Sequence, residues 1–296
     1  MSYVAGIDLG GSSVKAVAIT PEGEVLHQAS AAFDPATRLA FAEGVRSMLR
    51  RIQAEAGEEL LAVGVSAPGL VARDERSIAY MPGRLEGLER LDWTEFLGLP
   101  RPVPVLNDAQ AALLGEVWLG AAQGATHAVL LTLGTGVGGA AIVDGHLLRG
   151  AIGRAGHLGH ICLNPDGELD ICGTPGSLEQ AIGNATLPER SGGRFTTTHD
   201  LVEAVRAGDA NAREVWGLSV RALGCGIASL VNVLDPEVVI LGGGIARAGE
   251  VLFDRLREVL EVVEWRPGGH RVKVVPAKLG EYAGAIGSAW NALDLE

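Results

Sequence analysis

The chain has 296 residues, 47% of them hydrophobic and 20% charged, which is enough apolar material for one large domain or two lobes and excludes wholesale disorder. Its formal net charge is −12 and no run of Lys or Arg is dense enough to track a phosphate backbone, so nucleic acid is not expected as a partner. Three cysteines are too few for a disulfide framework, the opening MSYVAGIDLGG lacks a basic segment followed by a long apolar one, and no apolar run approaches the roughly 20 residues that span a bilayer, so a cytoplasmic protein without a membrane partner is expected.

In chain order, the first element is a strand, Tyr3–Asp8, followed by the glycine turn Gly10-Gly11-Ser12-Ser13. An apolar run at Val14–Ile19, the turn Pro21-Glu22-Gly23 and a third run from Val25 complete an antiparallel beginning. Apolar residues at helical spacing cover Arg38–Ala56, and a helix over Asn107–Leu119 opens with Asn and Asp in capping position. The opening layout then returns 124 residues later, Gly134 for Gly10. His127–Leu133 is a strand, Gly134 to Gly139 a loop, Ala140–Val143 a strand, Asp144-Gly145 a tight turn and His146–Leu148 the start of another strand. Such a repeat of element order predicts a duplication with two lobes. A long apolar helix, Arg213–Leu234, stops at Asp235-Pro236 and leads into the strand Val238–Leu241 and Gly242-Gly243-Gly244. A helix near Gly249–Val263, a strand at Arg271–Val275 and a last helix, Glu281–Leu293, follow. The alternation predicts an α/β protein with mixed sheets and flanking helices.

Three glycine-rich turns thus follow buried strands, at Gly10-Gly11, Gly134–Gly139 and Gly242–Gly244. Such turns can aim backbone N–H groups at phosphate oxygens. Gly134, Gly136 and Gly139 satisfy G-x-G-x-x-G, but a hairpin rather than a helix follows them, which argues against a dinucleotide site. Asp8 ends the first strand beside its turn, where a carboxylate can hold Mg²⁺ against ATP phosphates, and Lys15, one of three lysines, lies just beyond. Asp108, where a strand end passes into a helix, reads as a base for a hydroxyl, kept ionised by the helix N-terminus.

With these residues the chain resembles the ROK family (repressors, open reading frames and kinases) of the actin-like ATPase superfamily. The matches are Asp8-Leu-Gly-Gly-Ser-Ser-Val-Lys15, Gly64-Val-Ser-Ala-Pro-Gly69, Asn107 through Glu116, Leu133 through Gly139, Gly156-His-Leu-Gly-His160, Leu241–Gly244 and Gly284-Ala-Ile-Gly287. The resemblance implies a two-lobed, ribonuclease H-like fold with a small lobe over 1–110, completed by a C-terminal helix over 281–296, and a large lobe over 111–280. It implies a glucokinase-like ATP:sugar phosphotransferase acting at C6 of a hexose or amino sugar, and a homodimer. Asp108 would be the catalytic base; Asn107, His157, His160 and Glu179 would meet the sugar. Asp8, Gly10, Gly11, Ser12 and Lys15 would form one phosphate loop, and Gly134, Thr135, Gly136 and Gly139 a second. Gly243 and Gly244 would lie near adenosine, and Asp8 would hold Mg²⁺, directly or through water. The alternative is a catalytically silent sugar-binding or regulatory member, although regulators place a DNA-binding domain ahead of the fold and here the first strand begins at Tyr3.

Departures from the family pattern bear on the substrate. His157 stands where the family's kinases carry Glu, and Tyr80 where they often carry Asn. A neutral imidazole offers one donor and one acceptor, whereas a carboxylate accepts from two hydroxyls. The family's zinc motif, a His followed by C-x-C-G-x-x-G-C-x-E, is here Asp170-Ile-Cys172-Gly-Thr-Pro-Gly-Ser177-Leu-Glu179. His160, Cys172 and Asp170 offer three ligands where structural zinc takes four with thiolates prominent, so zinc is not expected and packing and hydrogen bonds are expected to hold the loop. Cys162 reads as a small core residue.

Overall fold

Residues 2–57 and 59–293 are described by the computed structural model of the chain; positions 294–296 of the expected last helix lie outside them. The first of two units takes the chain as far as Gly124, returns for Leu148–Ala155 and returns again from Lys278. Strands β1 (Tyr3–Leu9), β2 (Ser13–Ile19) and β3 (Val25–Ala32) form an antiparallel meander. Helix α1 (Ala40–Ala56) then leads to β4 (Leu60–Ala67), which pairs parallel to β1. The small hairpin β5 (Leu70–Val71) and β6 (Ile78–Tyr80), the short α2 (Trp93–Leu97) and the strand β7 (Val105–Asn107) follow, and α3 (Asp108–Trp118) comes next. The sheet order is β3-β2-β1-β4-β7.

Tyr3 to Ile7 are buried without alternation, as a central strand covered on both faces requires. One face carries α1, whose Phe41, Val45, Met48 and Ile52 pack with Ile7, Leu9, Val14 and Val65. Leu39, at φ 59°, lies in the left-handed region, so α1 starts at Ala40 rather than at Arg38. The opposite face carries the final helix, Ala283–Leu293, with Ala285, Ile286 and Ala289 against Val4, Val17 and Ile19. That approach is close: a Cβ at Gly6 would overlap the carbonyl oxygen of Ala285, and one at Gly64 that of Ser288. On its flank the same helix meets α3, where a Cβ at Gly287 would overlap the Ala111 carbonyl. This packing carries the first unit to Gly124 instead of 110, because α3 and the final helix share a core.

The second unit comprises Ala125–Leu147 and Gly156–Ala277. Its strands are β8 (Ala128–Leu133), β9 (Val137–Val143) and β10 (His146–Leu147), followed by α4 (Leu178–Ile182), α5 (Leu187–Arg190), α6 (Thr198–Arg206) and α7 (Ala210–Leu234). Strand β11 (Val238–Gly242), helix α8 (Glu250–Val263) and strand β12 (Lys273–Pro276) complete it. The order β10-β9-β8-β11-β12, with an antiparallel meander and two parallel additions, repeats that of the first sheet strand for strand. Asp144 and Gly145 both have positive φ, 52° and 77°, the requirement of a two-residue hairpin turn.

The expectation of no span-length apolar run needs correction. Among the described residues, Ala210–Leu234 is a helix long and apolar enough to cross a membrane by length and composition. It instead buries Val215, Trp216, Val220, Leu223 and Ile227 inside the second unit.

Candidate active site

In the first unit, the parallel strands β1, β4 and β7 end on the same edge, so the residues at their C-terminal ends gather there. Asp8, one residue from the end of β1, accepts a hydrogen bond at 2.7 Å from Ser66, its register partner on β4. Asn107 ends β7 and caps α3: its Oδ1 accepts from the Ala109 N–H at 3.0 Å, and Gln110 returns the bond to the Asn107 N–H in a capping box. Its Nδ2 donates to the Gly69 carbonyl at 3.1 Å. The sequence marks Asn107 as a sugar ligand; the structure shows both ends of its amide already engaged in shaping this corner.

Asp108 follows as the first residue of α3. Its Oδ1 accepts from the Ala109 N–H at 2.8 Å, leaving Oδ2 for other partners. Together with Gly10, Gly11 and Pro68, Asp108 lines a cavity of about 850 Å³ whose far wall is the Met81–Gly87 loop. Solvent reaches Asp108 through the cavity mouth, but the protein around it has the larger influence: burial raises its pKa, and the hydrogen bonds of the helix start lower it only in part. Desolvation thus works against the N–H donors of the helix start, which favour the charged carboxylate. Asp8 is pushed up to about 6, chiefly by burial and further by the negative charge of Asp108, against the Ser66 bond and Lys15.

Gly10 closes the β1–β2 turn through its N–H to the Ser13 carbonyl at 2.8 Å, with Gly11 and Ser12 exposed at the tip. Lys15 is the register partner of Asp8 on β2; its side chain is 23% exposed and its ammonium pairs with Glu281 at 3.2 Å. A residue that sequence reasoning quoted without a role is Glu116 on α3. Fully buried, it accepts the N–H groups of Lys278 and Leu279 at 2.9 Å each and that of Ala121 at 2.6 Å. A lone charged residue on an apolar helix face was the available signal.

In the second unit, the β8–β9 loop is tied down by its neighbours. The Asn184 and Ala185 N–H groups donate to the Gly134 and Thr135 carbonyls, both at 2.9 Å. Glu179 on α4 reaches over Gly136 to accept the Val137 N–H at 2.9 Å, and a Cβ at Gly136 would overlap that carboxylate. Gly139 lies under Leu158, and Gly243, at φ 85°, passes against the backbone of Leu133; Gly244 is open. His157 and His160 flank a single 3-10 turn, and burial together with the neighbouring His160 lowers the His157 pKa. His160 Nδ1 is 2.7 Å from Asp170 Oδ2, and its Nε2 is 3.5 Å from Cys172 Sγ. Cys162, expected in the core, is exposed, on a surface loop that bridges to Ser177.

The chain covers 96% of its length at 34% identity with a glucokinase from Thermotoga maritima, and 95% of that relative is matched. A ROK hexokinase structure from Thermus thermophilus superposes with a TM-score of 0.88 at 33% identity, over 99% of both chains. A ROK family glucokinase from Streptomyces griseus, solved with glucose and AMPPNP, gives a TM-score of 0.76 at 32% identity, again over 99% of both. The sequence profile of the ROK family matches residues 4–294, and with that span, this sheet order and these neighbours the chain belongs to the ROK family.

Proposed function

We propose that the protein is an ATP-dependent sugar kinase that transfers the γ-phosphoryl group to a hydroxyl, at C6, of a free hexose or amino sugar, with Asp108 as base. The observation that carries this reading is the placement of the Asp108 carboxylate on a cavity wall beside the Gly10-Gly11 turn, with a second carboxylate, Asp8, near enough for their charges to interact. The kinase and ATP-analogue relatives support the same reading.

The residues fit a divalent cation. Asp8 keeps one oxygen beyond its Ser66 bond, and its charge is opposed by that of Asp108, a repulsion that a cation relieves. Mg²⁺ held at Asp8, directly or through water, would supply charge neutralisation to the phosphates. Asp108 Oδ2 accepts the proton of the attacking hydroxyl as the new P–O bond forms and the bond to ADP breaks. A carboxyl with a raised pKa is a stronger base for that proton, yet still gives it up after transfer. Gly11 and Ser12 offer N–H groups to phosphate oxygens from the turn that Gly10 closes through its bond to Ser13, and the Gly134–Gly136 loop is assigned the same task by resemblance. Lys15 is proposed to hold the turn through Glu281 as well as to lend positive charge.

A coupled ADP-release assay with Mg-ATP tests this against glucose, mannose, fructose, allose, glucosamine, N-acetylglucosamine and N-acetylmannosamine. Turnover on at least one sugar, lost in Asp108→Asn, is the expected outcome. Near-normal turnover in that variant would remove Asp108 as base, and sugar binding without ADP release by the wild type would leave a silent binding protein. The homodimer is likewise proposed from the resemblance and the cytoplasmic location from the composition, with sedimentation as the check on the first.

A further inference from the structure

The family's zinc motif falls, in this chain, on His160, Asp170, Cys172 and Ser177 of the second unit. Among the described residues, His160, Asp170 and Cys172 form a group close enough to hold a metal ion. The arrangement nevertheless does not fit zinc. Asp170 Oδ2 lies 2.7 Å from His160 Nδ1, a hydrogen-bond separation with no room for an ion between them. Asp170 Oδ1 accepts the N–H groups of Cys172 and Thr174, both at 2.9 Å, and the Ser177 hydroxyl lies near enough to favour the charged carboxylate. The side chain is 1% exposed and its acceptor sites are taken by donors. Tetrahedral zinc would need those lone pairs, together with two thiolates that the sequence replaces.

We propose that Asp170 replaces the metal as the centre of this loop, a metal-free knot that positions His160 and the start of α4. The carboxylate sits where the His160 ring, the Cys172–Thr174 turn and Ser177 converge. Ser177 caps α4 by accepting the Gln180 N–H at 3.3 Å, so Asp170 fixes the helix that carries Glu179 over Gly136. The exchange also sets the polarity of His160. A carboxylate only accepts, so Nδ1 carries the proton and Nε2 of the neutral ring is an acceptor. A metal on Nδ1 would enforce the reverse, with Nε2 as donor. His160 therefore presents an acceptor edge, whose neighbour in the structure is Cys172 Sγ at 3.5 Å, so a hydroxyl that donates to Nε2 must share or displace that contact.

Metal analysis of the purified wild-type protein, melting with and without EDTA, and imidazole ¹⁵N spectra test this directly. Zinc well below one per chain, a melting point indifferent to EDTA and a His160 ring protonated on Nδ1 are expected. Stoichiometric zinc with EDTA-sensitive melting, or a neutral ring protonated on Nε2, would overturn the proposal. The double variant Asp170→Cys/Ser177→Cys restores the thiolates and is expected to take up one zinc per chain and to become EDTA-sensitive; failure to bind zinc while folded counts against the loop having the frame that Asp170 replaces. For Asp170→Asn, a sugar KM raised about tenfold with the ATP KM unchanged is expected, and an unchanged sugar KM would remove the positioning role. That kinetic arm alone rests on the kinase reading. The metal and ¹⁵N arms do not, so the two can fail separately.

Discussion

The two sheets have one strand order and one pattern of pairing, yet their equivalent strand tips carry different chemistry. At the end of β1, Asp8 faces Ser66 on β4; at the end of β8, Thr132 faces Gly242 on β11. After β7 comes Asp108 at the head of α3, whereas after β12 come Ala277 and Lys278, with no carboxylate until Glu281. The first sheet thus gathers two carboxylates on one edge, and the second keeps its acid, Glu179, on an inserted helix bonded to a loop N–H. A duplicated frame needs only the apolar pattern of its strands. The residues one step beyond the pattern are free to diverge, and it is there that the carboxylate pair of one unit has no counterpart in the other.

The largest expected effect comes from removing the first unit's distinguishing group. Asp108→Asn should lower kcat by about 10³, equivalent to about 4 kcal/mol of barrier, in the ADP-release assay, while the melting point holds or rises. The asymmetry of the frames can be probed next at Glu116, whose carboxylate satisfies three N–H groups of the first unit. Glu116→Ala should cost about 3 kcal/mol in urea unfolding, and hydrogen exchange should rise in α3 and the final helix with β8 and β11 unaffected.

Asp8 gives a pH-dependent effect. Its folded pKa, about 6, lies above the ordinary value of 3.8, so the folded chain binds more protons between those limits. Stability from this group is complete below pH 3.8 and is lost as pH rises through 6, by about 2–3 kcal/mol in all. Asp8→Asn should therefore be more stable than wild type at pH 7 but not at pH 4, and should lose its response to Mg²⁺, as paired thermal melts would show. The smallest effect is expected at His157→Glu, with a change of about threefold in sugar KM and a reordering of the sugars preferred, read from the same panel, in keeping with one exchanged hydrogen bond.

Glycine turns, strand runs and the Asp144-Gly145 hairpin were legible because they depend on neighbours in sequence. The boundaries of α3, α8 and the final helix fell within two residues of expectation for the same reason. The β4 strand was visible only as a motif around Gly64, and the short helices α4 to α6 have too few turns for a period to register. What escaped depends on residues brought together from afar. The raised pKa of Asp8 follows chiefly from burial and further from Asp108, and two of the three partners of Glu116 lie more than 160 positions away. The partnership of Lys15 with Glu281, and the carboxylate at the heart of the His160 loop, likewise follow from packing and not from spacing.

The final helix has a consequence for synthesis. It seals the face of the first sheet formed by Val4, Val17 and Ile19, yet it is translated about 215 residues after β4. At 5–20 residues per second the ribosome takes about 10–40 s to cover that distance. Throughout that interval the emerging sheet has a bare apolar face, notched at Gly6 and Gly64 for a backbone still to come. A nascent chain in that condition is a client for whatever chaperone waits at the exit tunnel, and its first unit closes only when the segment from Ala283 arrives.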